Sequence, residues 1–306
     1  MTGGRSPESW RSAETRAAWL FMAPALVIVA VVALVPIAWT AWESFHLHDL
    51  RMPWLGQPFI GLGNYGEALA DPRFRDAAAH TAIFVVITVS LEVACGMALA
   101  LALNQSTTGR GMLRAAAILP WALPTVVVAL LWRFAFEGPQ DVASLALMRL
   151  RIVDGPVLWF AGAITAWVPI ITADVWRMTP FVALLLLAGL QQIDPSLYEA
   201  ARMDGAGRWR QFRAITLPLL VPALLVATLF RALDAIRVFD LVFVLTAGGP
   251  GTATEPLSLF AFSAMMRHLR FGYGSGVSMM MFLAAFAGAL ALIRLIGTSR
   301  LEREQA

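Results

Sequence analysis

The sequence predicts an all-α, polytopic membrane protein with about six transmembrane helices. Hydrophobic residues make up 59% of the 306 residues and charged residues only 14%, with a mean hydropathy of +0.70, far from the balance of a soluble domain. The apolar residues gather in long runs of the ~20 residues that cross a hydrocarbon core; they do not alternate over short stretches as barrel strands do. Every backbone donor and acceptor within lipid needs an internal partner, so such runs fold as helices.

The first run, residues 19–42, follows the basic Arg5, Arg11 and Arg16. It is longer than the apolar region of a cleaved leader and precedes no small-x-small site. With Trp39 and Trp42 as interfacial anchors, it is expected to be an uncleaved span. The remaining spans are predicted at 79–102, 113–134, 165–191, 217–238 and 274–296. Residues 156–191 are too long for one helix, so 156–164 are read as an external segment leading into the fourth span. This organisation makes 1–18 a cytoplasmic N-terminal segment, 19–296 the membrane domain and 297–306 a cytoplasmic tail.

Every basic side chain apart from histidine is arginine, and the sequence has no lysine. With the N-terminus inside, Arg5, Arg11, Arg16, Arg110, Arg114, Arg202, Arg208, Arg210, Arg213, Arg294, Arg300 and Arg303 face the cytoplasm. Arg51, Arg73, Arg75, Arg149, Arg151, Arg267 and Arg270 fall in longer external segments with acidic neighbours, where they weigh less on topology. Both termini are therefore expected in the cytoplasm. A pI near 9.7 reflects this arginine excess at a membrane surface; no nucleic-acid motif accompanies it.

Several chemistries are excluded. A phosphate-binding Walker loop needs a lysine, so this chain cannot hydrolyse ATP by that route. There is no GxSxG elbow, no HExxH helix and no lysine for a Schiff base, so no catalytic constellation emerges. His46, His48, His80 and His268 lack metal-ligand spacing, and His46 and His48 are expected to be solvated loop residues. The single cysteine, Cys95, excludes an internal disulfide and is expected to pack closely beside Gly96.

Ionisable residues inside the spans are the stronger lead, because they are expensive in hydrocarbon and turn towards protein or water. They are Glu92, Asp174, Arg177, Arg231 and Asp234, followed by Arg237 and Asp240 at three-residue spacing. Counted from the cytoplasmic ends, Glu92 matches Arg231 in depth and Asp234 matches Arg177. They are either permanent ion pairs that fix helix register or groups on a translocation path. A rival reading makes Glu92 or Asp174 the proton carrier of a secondary transporter. Trp121, Trp132, Phe134 and Phe230 present faces able to stack on a ligand ring, although most aromatic residues here serve packing.

Between the fourth and fifth spans, residues 194–218 form a charged, glycine-punctuated stretch. Asp194 and Pro195 suit an N-cap and first turn, so 196–203 are predicted helical with Glu199 near the N-terminal end. Gly205 stops this helix, and Gly207 precedes a second short helix over 209–215, before Pro218 opens the next span. Two short helices at the cytoplasmic face make a rigid knob for a soluble partner.

The order of residues in this knob is Glu-Ala-Ala, two residues, Asp-Gly-Ala, eight residues, then Ile-x-Leu-Pro. It resembles the EAA loop of the transmembrane subunits of bacterial binding-protein-dependent ABC importers. DVWRMTPF (174–181), FRALDAIRVFD (230–240) and VLTAGGPGTATEPL (244–257) resemble segments of the maltose-type and glycerol-phosphate-type sugar permeases. FIGLGNYGEAL (59–69) is similar to the first external loop of the larger member of the permease pair, without the large external insertion of the maltose archetype.

The resemblance implies a type I importer permease fold and a gating role in carbohydrate or polyol-phosphate uptake. It implies that Glu199, Ala200, Ala201, Asp204, Gly205, Ala206, Ile215 and Pro218 couple to the ATPase. Gly248, Gly249, Pro250 and Gly251 would form an external turn near the path and the binding-protein surface. The implied partners are a second permease subunit, two ATP-binding cassette subunits and an extracytoplasmic solute-binding protein. No cofactor is implied on this chain; ATP and Mg sit on the ATPases.

Overall fold

The computed structural model describes residues 7–105, 110–138 and 141–301; Arg5 and Arg303 lie outside them. Among the described residues there is no β-strand, only isolated bridges at His46 with Phe59 and Asp49 with Arg270. The first apolar run lies in α1 (Pro7–Ser44), whose portion Ala18–Ser44 has a hydropathy of 2.8. Leu20, Phe21 and Val32 remain exposed on it, which suits a helix facing lipid. Its extensive contact is with α13 (Phe271–Leu301). A short α2 (Gly63–Ala70) leads to α3 (Pro72–Gln105), which opens on a proline whose missing N–H costs nothing at that position.

The third apolar run is a broken span. Helices α4 (Arg110–Ala122) and α5 (Thr125–Phe136) meet at 95°. Pro124 sits extended between them, at φ −57° and ψ 136°; it lacks a donor and disfavours helix at Leu123. The sequence expectation of one helix over 113–134 is corrected accordingly. Beyond the break, Asp141 caps α6 (Val142–Arg149) by accepting from the Ser144 N–H at 2.7 Å. The segment 156–164 is not helical; it folds back so that the Trp159 indole donates to Asp141 and Ser144.

The fourth run is α7 (Trp167–Leu190), followed by α8 (Pro195–Met203) and α9 (Arg208–Gln211). The second short helix predicted over 209–215 does not end before Pro218. It continues through a π-turn, Phe212–Thr216, into α10 (Leu217–Ile236). Pro218 cannot donate, and the wider turn, in which the Leu217 N–H reaches the Phe212 carbonyl, absorbs that loss without breaking the helix. The chain then forms α11 (Asp240–Leu245), α12 (Leu257–Phe262) and a π-turn, Ser263–Arg267, before α13. Among the described residues, five helices are long and apolar enough to cross a membrane, six if α4 and α5 count as one bent span.

The centre of the bundle is α3 against α7, with α10 beside both. A Cβ built on Gly96 would meet Val182 Cγ1 at 2.6 Å, so glycine is what lets α3 approach α7. Cys95 next to it is exposed, which corrects the expectation of a closely packed cysteine. One apolar cluster includes Phe84, Ala173 and Ala235; a second includes Ala100, Val182 and Ala227. Along each of α3, α7 and α10, one buried charge, Glu92, Asp174 and Arg231 respectively, falls between the residues of these two clusters.

Candidate functional site

Those three charges meet. Arg231 on α10, 1% exposed, donates from Nε to Glu92 Oε2 at 2.5 Å and from Nη2 to Glu92 Oε1 at 2.8 Å. The same Nη2 reaches Asp174 Oδ2 on α7 at 3.0 Å, and Nη1 reaches Asp234 Oδ2 one turn along α10 at 2.5 Å. Glu92 is wholly buried and Asp174 nearly so. One guanidinium thus ties three helices together, using its planar fork on three carboxylates. Two further arginines offset the remaining negative charge: Arg177 lies 4.0 Å from Asp174 and Arg237 lies 3.5 Å from Asp234.

Depth counting placed Glu92 level with Arg231, and the structure brings these two into contact. It does not bring Asp234 to Arg177. Helix α10 also ends at Ile236, so Arg237 caps it and Asp240 begins α11; the four regularly spaced charges do not share one helix. A polar cavity of about 200 Å³ opens beside the network, lined by Thr125, Asp174, Arg177, Asp234, Arg237 and Asp240 among others. The Nε of Arg177 is buried with no partner among the described residues.

The aromatic candidates are elsewhere. Trp121 stacks on Phe181, which meets Phe230 edge-on. Trp132 packs against Phe136 and Trp176, at the wall of an apolar cavity of about 500 Å³. Phe134 is largely exposed.

The glycine turn is rigidly held. Gly248 and Gly251 have φ of +91° and +60°, a region that costs a side chain dearly. The Thr254 hydroxyl donates to the Gly249 carbonyl at 2.7 Å and lies 2.8 Å from the Thr246 hydroxyl. Glu255, buried, takes both ends of the Arg73 guanidinium at 2.7 and 2.8 Å, and the Trp167 indole donates to Ala253. These contacts fasten the turn, which includes Pro250, to α3 and α7. Sequence reading missed Arg73 and Glu255 because 182 positions separate them; the only signal was an acid inside an otherwise uncharged loop. It also missed that His48 pairs with Glu43 and His46 stacks on Trp42 at 4.0 Å, so neither is simply solvated.

At the far end of the bundle, Asp194 caps α8 through the Ser196 N–H at 2.9 Å, which holds its carboxyl below the usual carboxylate range. Helix α8 ends in a Schellman motif: the Ala206 N–H reaches the Ala201 carbonyl at 2.8 Å and the Gly205 N–H reaches Arg202 at 3.0 Å. Gly205 has φ +74° with open space around it, so the backbone angle and not crowding requires glycine. Glu199 stands mid-helix, not in the first turn, which corrects its expected N-terminal placement. It is exposed, as are Ala200, Asp204 and Met203, and Ala201 and Ala206 are half-buried beneath. Ile215 and Pro218 lie where this knob merges with α10. The Tyr198 hydroxyl bonds Thr216 at 2.9 Å, so α8 and α10 are joined.

Residues 92–303 match the family described as binding-protein-dependent transport system inner membrane component. The chain is 40% identical to the trehalose/maltose transport system permease protein MalF of Thermococcus litoralis, over 92% of this chain and 94% of that protein. It is 34% identical to the trehalose transport system permease protein SugA of Mycobacterium tuberculosis, over 94% and 91%. Its fold superposes with a TM-score of 0.80 on a chain from the crystal structure of a bacterial ABC transporter involved in the import of the acidic polysaccharide alginate. That match has 19% identity and covers 95% of this chain and 99% of that one. A membrane-embedded bundle, a charge-locked centre and an EAA knob joined to the fifth span are what these relatives place in context: the chain belongs to the inner-membrane permease components of binding-protein-dependent ABC importers.

Proposed function

We propose that the chain forms part of the translocation path for a carbohydrate, with an α-linked disaccharide of the trehalose or maltose kind as the first cargo to test. The observation that carries this is the polar cavity beside the Arg231 network, in a chain whose relatives of highest quoted identity are trehalose and maltose permeases. Sugar hydroxyls are bound by planar carboxylates and guanidiniums, and the cavity lining supplies both signs of charge together with the unpartnered Arg177 Nε. At about 200 Å³ it is smaller than the ~300–1,000 Å³ of small-molecule sites. Passage therefore requires α7 and α10 to part, as in a gate with alternating access.

In this reading a second permease subunit completes the path, and an extracytoplasmic binding protein delivers the sugar near the Gly248–Gly251 turn. Two ATP-binding cassette subunits, which hold ATP and Mg, engage Glu199, Ala200 and the Gly205 turn from the cytoplasm. The membrane is the bacterial cytoplasmic membrane, with both termini inside. The proton-coupled alternative needs Glu92 or Asp174 free to cycle a proton, and both are bound by Arg231. Thermal-shift screening of the cognate binding protein across sugars, polyol phosphates, amino acids and metal chelates tests the cargo. A disaccharide hit supports it; stabilisation only by amino acids or metal chelates refutes it.

A further inference from the structure

A cavity of about 830 Å³ lies at the knob end of the bundle, remote from the charged network. Its apolar wall includes Leu101 on α3, Leu190 at the end of α7 and Phe212 in the π-turn; its charged wall is Arg202 and Arg208. Among the described residues, no carboxylate lines it. Arg202 donates to the Tyr198 carbonyl at 3.2 Å, and neither arginine has an acidic partner among the described residues. The connection that follows Gln105 reads Ser-Thr-Thr-Gly and brings no acid. Trp209, 72% exposed, stacks on Phe212 at the cavity rim.

The level of this cavity decides what fits. Its walls run from buried Leu190 to exposed Asn104 and Gln105, across the boundary where α3 and α7 pass from apolar to polar sequence. An exposed tryptophan is typical of that boundary. A site that is apolar on one side and doubly cationic on the other, open at this depth, matches an amphiphile with an anionic head. A soluble anion would leave the apolar wall bare.

We propose that this cavity seats one acidic phospholipid, its phosphate between Arg202 and Arg208 and an acyl chain along Leu101, Leu190 and Phe212. The lipid bridges α8 to α3 and supports the coupling knob from the membrane side, so the resting position of the knob depends on the anionic lipid content of the leaflet. This rests on the placement of residues 194–218 at the cytoplasmic face.

The test uses the full transporter assembly in nanodiscs of phosphatidylcholine with a minor fraction of phosphatidylglycerol. Retained lipid is measured by native mass spectrometry after detergent exchange. Arg202→Gln/Arg208→Gln is compared with Arg210→Gln/Arg213→Gln; all four side chains are exposed, so folding is preserved, and size-exclusion elution checks it. Each guanidinium at an anionic lipid surface is worth about fivefold, so the first pair loses roughly 30-fold in phosphatidylglycerol retention. The second pair retains it.

Equal retention in wild type and both variants overturns the proposal. So does displacement by millimolar inorganic phosphate, which marks a soluble-anion site, or loss of the lipid when the ATPase subunits are added to the permease pair, which marks the cavity as part of their dock. Failure of the coupling reading shows separately: Glu199→Lys, exposed and outside the cavity lining, keeps the lipid whether or not it loses the ATPase.

Discussion

Removing Arg231 tests what the charged centre does. In Arg231→Met the apolar stem is replaced but Glu92 and Asp174, 0% and 3% exposed, lose their guanidinium; Asp234, with 39% of its side chain exposed, turns to water. Breaking a buried ion pair by deleting one partner costs about 3–5 kcal/mol. Set against a total stability of ~5–15 kcal/mol, such a loss removes a large share of the margin that keeps the protein folded. The variant is therefore expected to show a sharply reduced monodisperse peak in fluorescence-detected size exclusion and a lowered thermal midpoint. The double variant Arg231→Met/Glu92→Leu removes both ends of the tightest pair, while Asp174 keeps Arg177 at 4.0 Å and Asp234 keeps Arg237 at 3.5 Å. It is expected to recover roughly 2–3 kcal/mol relative to the sum of the single changes. Wild-type yield in Arg231→Met, or a double variant as impaired as that sum, refutes a buried structural lock.

At the knob, Gly205→Val forces a β-branched residue to φ +74°, at a cost of about 1–3 kcal/mol, and should abolish uptake and ATPase recovery in pull-downs; wild-type values for both sink the coupling assignment. Glu199→Lys reverses charge on the exposed face of α8 and should lower ATPase recovery with membrane insertion unchanged. Arg73→Ala strands the buried Glu255 and should make the 246–256 turn cleavable by protease at rates well above wild type; unchanged protection contradicts the clamp. Asp49, beside the Arg51 and Arg270 guanidiniums, is held down to about 2. A carboxylate depressed in the folded state stabilises fully above its unfolded value and loses that stability as pH falls through the folded one. The thermal midpoint of wild type should therefore drop faster than that of Asp49→Asn between pH 4 and 2, and parallel curves would count against the pairing.

Much of this was legible in the sequence, for physical reasons that differ by element. Apolar runs reported the spans because lipid imposes helix, and Asp194, Pro195 and Gly205 marked the ends of α8 because caps and left-handed turns demand particular residues. The break at Pro124 was not legible. Pro24, Pro36, Pro180 and Pro222 all sit inside continuous helices, so a proline alone does not announce which span will bend. Depth counting found Glu92 beside Arg231, but which way each helix is rotated depends on packing at positions such as Gly96. Asp234 meets Arg231 through i, i+3 spacing along α10, and that rotation is why it does not pair with Arg177 on α7. The Arg73 and Glu255 clamp joins distant segments that no local pattern connects.

The central claim, that this permease component gates uptake powered by a separate ATPase, is tested most directly by transport into proteoliposomes holding the assembled complex, with binding protein and labelled trehalose or maltose outside and no ion gradient. Sugar accumulation that requires ATP inside and the binding protein outside, and that fails in Gly205→Val, is the predicted result. Accumulation by this chain without the ATPase subunits, driven by an imposed proton gradient, would contradict it.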